Sequence, residues 1–210
     1  MTGLRQSAGR FGVAIAFLVC ALLVQSGIAA AQTQAGPYSL KGQFLVAEPD
    51  LGDPNFEKTI VLMVEHDAEG AFGIVINRTY GRIPGTVFLE GLGIEEPSYR
   101  DEIDLHYGGP VSPDIVMFLH SSEYATDGTR TVTDSLSLTT NIQMLKDIAS
   151  GSGPKRHLFA LGYAGWGPGQ LESEIARGSW FWIPADAELV FGTDDGVKWA
   201  TALDRKGVDL

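Results

Sequence analysis

KTIVLMVEHDAEGAFGIVINR, residues 58–78, holds the reading on which the fold class turns. Residues 58–66 and 72–78 are apolar, β-branched runs, and Asp67-Ala68-Glu69-Gly70-Ala71 between them has the length and the Asp and Gly of a hairpin loop. Upstream, QFLVAE at 43–48 reads as a strand ended by Pro49. Downstream, Leu105–Tyr107 begins a strand that stops at Gly108-Gly109-Pro110. IVMFLHS at 115–121 and the alternating TVTDSLSL at 131–138 repeat the pattern of strand, turn, strand. HLFALGYAGW at 157–166 is a further strand, and Trp180, Trp182 and Pro184 mark another.

Helices are expected in four places. Thr86–Leu92 offers Thr86 as cap and Glu90 in its last turn. Asn141–Ser150 repeats Ile142, Leu145, Ile148 and Ala149 at helical spacing before Gly151. A third opens with Pro168 in its first turn, puts Glu172 and Glu174 near its positive end and Leu171 and Ile175 on one face, and stops at Arg177-Gly178. The last, near Gly196–Lys206, is expected to turn Val197, Ala200 and Leu203 inward. Hairpins with segregated helices favour an α+β fold over a doubly wound sheet.

The first thirty-one residues stand apart from that fold. Arg5 and Arg10 precede FGVAIAFLVCALLV and then Ala29-Ala30-Ala31, the basic start, apolar centre and small-residue cleavage site of a secretory signal. The uninterrupted apolar run, Phe11 to Val24, falls short of the roughly 20 residues that span a bilayer comfortably. Cleavage after Ala31 is the expectation, with an uncleaved anchor as the alternative that would tie the chain to a membrane. Either way the bulk of the chain is expected outside the cytoplasm, in the periplasm or beyond. Cys20 is the chain's one cysteine and sits inside the apolar run without the small preceding residue of a lipobox. A domain over 32–210 would contain no disulfide, so its fold must rest on its core.

Charge narrows the partners. The formal net charge is −11, and removal of a segment carrying Arg5 and Arg10 but no acid takes it to −13. Such a chain repels a phosphate backbone unless a basic patch intervenes. The densest basic cluster, Lys155-Arg156-His157, reads as a solvated strand entry, so nucleic acid is an unfavoured partner.

Three motif tests weigh against common chemistries. GYAGWGPGQLESEI, 162–175, lacks the lysine and hydroxyl of a phosphate-binding P-loop, and Gly165, Gly167 and Gly169 alternate rather than follow the dinucleotide spacing. Its simplest reading is a tight strand-to-helix corner, although helix-opening amides can hold a small anion. No serine occupies a nucleophile elbow, and Ser121 and Ser122 have no spaced acid to complete a triad. His66, His106, His120 and His157 form no close metal-binding pair, so no metal or cofactor is assigned. A hydrolase or metal-dependent enzyme using His66, Asp67 or His120 is the enzymatic alternative.

Taken together, GQFLVAEPDLGDPNFEKTIVLMVEH, GAFGIVINR, YGGPV, LSLTTN, GYAGWGPGQLESEI and GSWFWIPAD resemble the YqgE/AlgH family of bacterial proteins, in order and over nearly the whole of 32–210. The resemblance implies a single α+β domain with a bent, partly barrel-like, mainly antiparallel sheet flanked by helices, and no settled activity. One branch of that family carries a transcriptional-regulator label linked to alginate production, which makes a cytoplasmic regulator another alternative. Its members generally look cytosolic, whereas this chain has the export signal.

Residues and resemblance meet at Asn77-Arg78, at Gly108-Gly109-Pro110, and at Gly165-Trp166-Gly167 with Gln170. If these loops converge, Arg78 supplies charge, Gln170 and the turn amides supply hydrogen bonds, and Trp166 supplies an apolar wall. The functional expectation is a non-catalytic domain that binds a protein or a small anionic ligand there. The plainer alternative pairs Arg78 with a nearby acid.

Overall fold

The hairpin forms from β2 (Ile60–Asp67) and β3 (Gly70–Val75), tighter than expected. Asp67 pairs with Gly70, so the loop is only Ala68-Glu69, and the Asp67 carboxylate accepts the Glu69 N–H at 2.8 Å. The structure is a computed structural model describing residues 39–94 and 101–207. The expected secretory segment and its expected boundary at Ala31 lie outside the described residues. Gly36–Leu210 forms one compact unit.

The other strands are β1 (Gln43–Ala47), β4 (Thr79–Pro84), β5 (Glu102–Tyr107), β6 (Val111–Ser121), β7 (Arg130–Thr131), β8 (Leu136–Thr139), β9 (His157–Trp166) and β10 (Trp180–Pro184). They hydrogen-bond in the order β10-β1-β2-β3-β9-β6-β8-β7, with β5 branching from β9 and β4 pairing with β5. The pairs are antiparallel except β5 with β9, and the sheet curls into a half-barrel, as the resemblance implied. The helices are α1 (Gly85–Gly91), α2 (Gln143–Ala149), α3 (Gln170–Ala176), α4 (Ala187–Phe191) and α5 (Asp195–Asp204).

Strand β9 is the spine. One edge pairs with β6; the other pairs first with β5, over Phe159–Leu161, and then with β3, over Ala164–Trp166. Gly108 sits in the fork, donating its N–H to Leu161 at 2.8 Å and accepting from Val75 at 2.9 Å. A Cβ on Gly108 or Gly109 would run into the backbone of Gly162 or Tyr163, and Gly109 has φ 150. Glycine is required there because two backbones come too close for a side chain.

Burial divides into three clusters. The inner face of the half-barrel gathers Phe44, Val46, Leu62, Val64, Ile74, Ile76, Leu119 and Leu138 beneath α4 and Ala202 of α5. The outer face gathers Leu45, Val61, Met63, Val75, Trp166 and Trp180 with Leu171 of α3. Phe118, Phe159, Ile103 and Leu105 pack with α1 and α2.

Several local expectations are corrected. TVTDSLSL is not one strand: the Thr133 hydroxyl accepts from the Ser135 and Leu136 amides, and this turn folds β7 back on β8. Thr86 lies inside α1 and does not cap it; the Gly85 N–H is satisfied by Asp101 at 2.9 Å. Pro168 precedes α3, whose N-cap is Gly169 at φ 72. In α5, Val197 and Ala200 are exposed and Lys198 and Ala202 are buried, because the Lys198 ammonium is pinned from below by the Val190 and Ile76 carbonyls at 2.8 and 3.0 Å. Strand β4 and helix α4 carried no recognised sequence signal.

Candidate functional site

The expected loops converge only in part. Asn77 accepts the Ile60 N–H at 2.8 Å and donates to the Lys58 carbonyl at 2.9 Å. Arg78 donates to the carbonyls of Pro54, Asn55 and Glu57 at 3.0, 2.8 and 2.7 Å. Among the described residues it pairs with no acid; it clamps a turn. That turn seats Phe56 between Trp166 and Trp180, with ring centroids 6.1 and 5.5 Å away. Gly108, Gly109 and Pro110 serve the fork described above. Gln170 turns inward, accepting the Gly167 N–H at 3.1 Å and donating to Glu174 at 2.9 Å, so an amide offered to an anion is already taken.

Gly165 and Trp166 do border a concavity. A cleft of about 690 Å³ lies on the inner side of the half-barrel and crosses β2, β3, β9, β6 and β8 in their sheet order. Its walls are Phe72, Val111, Met117, Leu138 and Tyr163, with Phe72 and Tyr163 in edge contact at 5.7 Å. Its rim carries Glu65, Asp67 and Glu69, and Arg130 faces Glu65 in an ion pair.

The route of Glu65 to that rim is a register event. The β2–β3 ladder slips between Met63 and Glu65, so Val64 and Glu65 do not alternate as regular strand residues do. Val64 faces the inner core, Glu65 lies opposite Phe72 on the same side, and His66 returns to the outer face. Strict alternation would have placed Glu65 outside with Met63, which hid it from the sequence. Phe72 and Tyr163 are half-buried on the inward strand face, packed against the inner core and bordering the cleft.

The residues of the enzymatic alternative do not gather. The His66 Nδ1 accepts the Leu40 N–H at 3.0 Å and its Nε2 meets Glu172 at 2.9 Å, while Asp67 lies on the cleft side. Hydrogen bonds from its own backbone N–H and from His66 hold the Glu172 carboxyl below its ordinary range. His120 is fully buried, with Nδ1 at 3.0 Å from the Ser121 carbonyl and Nε2 without a hydrogen-bond partner among the described residues. It lies directly across the ladder from His157, whose Nδ1 is also unpartnered, and burial pushes both rings down from the usual histidine value.

A second, smaller concavity of about 340 Å³ holds a charged network that the sequence reading missed. Asp195 accepts from His106 at 2.9 Å and from Lys198 at 2.6 Å. Burial opposes the Asp195 charge, but these two donors outweigh it and keep the carboxyl below its ordinary range. The other His106 nitrogen faces the Asp104 and Phe159 carbonyls at 3.2 and 3.3 Å, so both ring nitrogens are engaged within the fold. The network ties α5 to β5; it offers no free base. Among the described residues, no three histidine, cysteine or acidic side chains group as metal ligands do.

A family profile described as AlgH-like matches residues 44–210. A UPF0301 protein of Rhodospirillum rubrum is 45% identical over 170 residues, covering 81% of this chain and 88% of that protein. One from Methylococcus capsulatus is 41% identical over 175 residues, covering 83% and 96%. The solution structure of the AlgH protein from Pseudomonas aeruginosa superposes with a TM-score of 0.71 at 37% identity, covering 84% of this chain and 93% of that one. Protein DIP2367 from Corynebacterium diphtheriae, at 22% identity and a TM-score of 0.62, shares the fold over 80% of this chain and 87% of its own.

Proposed function

The chain belongs to the AlgH-like family, and from that premise we propose that it is an exported, non-catalytic domain that binds a protein segment in the cleft of its half-barrel. The observation that carries the reading is the cleft: about 690 Å³, floored by Phe72, Met117 and Tyr163 and rimmed by carboxylates. Binding sites combine apolar walls with a few placed polar groups, and this volume lies within the usual range of roughly 300–1,000 Å³. The acidic rim favours a protein segment over the small anion that the glycine-rich turn suggested. Export rests on Arg5, Arg10, the apolar run 11–24 and Ala29-Ala30-Ala31.

One experiment addresses both parts. A photoactivatable phenylalanine analogue is placed at Phe72 and, separately, at the exposed Val197, and the producing cells are irradiated and fractionated. The expected result is discrete protein adducts at position 72 alone, in an extracytoplasmic fraction, on a chain whose mass begins at Gln32. Adducts alike at both positions remove the cleft reading. A full-length chain confined to the cytoplasm removes export and restores the regulator alternative.

A further inference from the structure

The ion pair between Arg130 and Glu65 joins strands that are far apart in the sheet. Four strands, β3, β9, β6 and β8, separate β2 from β7 in hydrogen-bonding order. The curl of the half-barrel brings β7 back over the cleft, and the Arg130 guanidinium meets the Glu65 carboxylate across its mouth. Both side chains remain about half exposed, at 57% and 49%, so water competes for the pair and it is readily exchanged.

From this we infer that the cleft recognises a cationic segment of a partner protein, one presenting an arginine or lysine beside an apolar residue, and that Arg130 occupies the place of that cation in the unbound molecule. The inference rests on the binding role proposed above and adds the chemistry of the occupant. Three features support it. Asp67 and Glu69 stand on the same rim as Glu65, and among the described residues no ion pair reaches either of them. Phe72 and Tyr163 lie beneath, where an aliphatic stem can pack and a cation can sit over a ring face. The chain's net charge of −11 draws basic partners toward it and repels a second copy of itself.

The test uses the chain with three capped peptides: alternating arginine and leucine, alternating serine and leucine, and alternating glutamate and leucine. Amide shifts are followed by NMR at low and high salt. The arginine peptide is expected to move the amides of Glu65, Phe72, Gly165 and Arg130, with binding weakened by salt. Asp67→Asn and Glu69→Gln are each expected to weaken it roughly two- to fivefold, and Arg130→Gln to strengthen it by a similar factor by releasing Glu65. Equal binding of the serine peptide at the same amides, unmoved by these substitutions, overturns the cationic inference and leaves the cleft a binding site. Preference for the glutamate peptide overturns it as well. If no peptide moves any cleft amide, the inference and the binding reading fall together.

Discussion

The two faces at the end of β9 have opposite chemistry. On the outer face one carboxylate, Glu174, accepts the indole N–H groups of Trp166 and Trp180, each at 2.9 Å, and the Gln170 amide at 2.9 Å. Phe56, held by the turn that Arg78 clamps, stacks on the Trp166 indole and meets the Trp180 indole edge-on. The polar groups there are satisfied within the chain, and the aromatic rings are buried. On the inner face, Tyr163 and Gly165 open into the cleft, where Asp67 and Glu69 face solvent. The outer corner holds the fold because its donors and acceptors are matched inside, whereas the inner rim engages its carboxylates only in one exposed ion pair, Glu65 with Arg130, and one local turn bond, from the Glu69 N–H to Asp67.

The largest expected effect follows removal of the Glu174 carboxylate. Glu174→Ala leaves two indole N–H groups, on residues only 6% and 3% exposed, without their acceptor. Unsatisfied buried donors cost about 1–3 kcal/mol each, so a loss of roughly 2–4 kcal/mol is expected in urea unfolding. Glu174→Gln keeps an acceptor and should recover part of that loss. A cost below about 1 kcal/mol for the alanine variant would show that the corner is not the structural element described.

This contrast also explains what was legible in the sequence. Glycines, tryptophans, Asn77 and Arg78 stood out because backbone geometry and buried hydrogen bonds demand particular residues, and most of them proved to hold turns, the fork and the outer corner. The α+β class was legible from the hairpin and the long strand at 157–166. The cleft was not. Its acidic rim depends on a slip in the β2 ladder, its apolar floor looks like ordinary core, and Arg130 joins it only through the curl of the whole sheet. Local pattern carries none of these three facts. Lys198 was hidden differently: a lysine in a helix reads as solvated until the carbonyls that receive it are known.

A smaller effect concerns the seam between β6 and β9, where His120 lies opposite His157. Burial lowers His120 and His157 below their ordinary value, so in the window beneath about pH 6.5 the unfolded chain binds more protons than the folded one. Stability from these two groups is complete above that value and declines as pH falls through it. The urea midpoint is therefore expected to drop between about pH 7 and about pH 5, before the carboxylates of Asp104, Glu123, Asp147, Glu172 and Asp195 titrate. His120→Gln combined with His157→Gln should flatten that part of the profile. An unchanged slope in the double variant would assign the drop to other groups.

The smallest effect is expected at the acidic rim. Asp67 and Glu69 are exposed, and their carboxylates face the cleft opening. Asp67→Asn keeps the acceptor that closes the hairpin turn onto the Glu69 N–H, and Glu69→Gln keeps the length of the side chain. Each should change stability by no more than about 0.5 kcal/mol, in contrast to Glu174→Ala. Thermal unfolding of the two variants beside wild type checks this. Removing two nearby negative charges could even raise the midpoint slightly, because Glu65, Asp67 and Glu69 repel one another across the rim. A rise would mean that the fold tolerates this rim at a small cost in stability, as the proposed recognition role would require and structure alone would not.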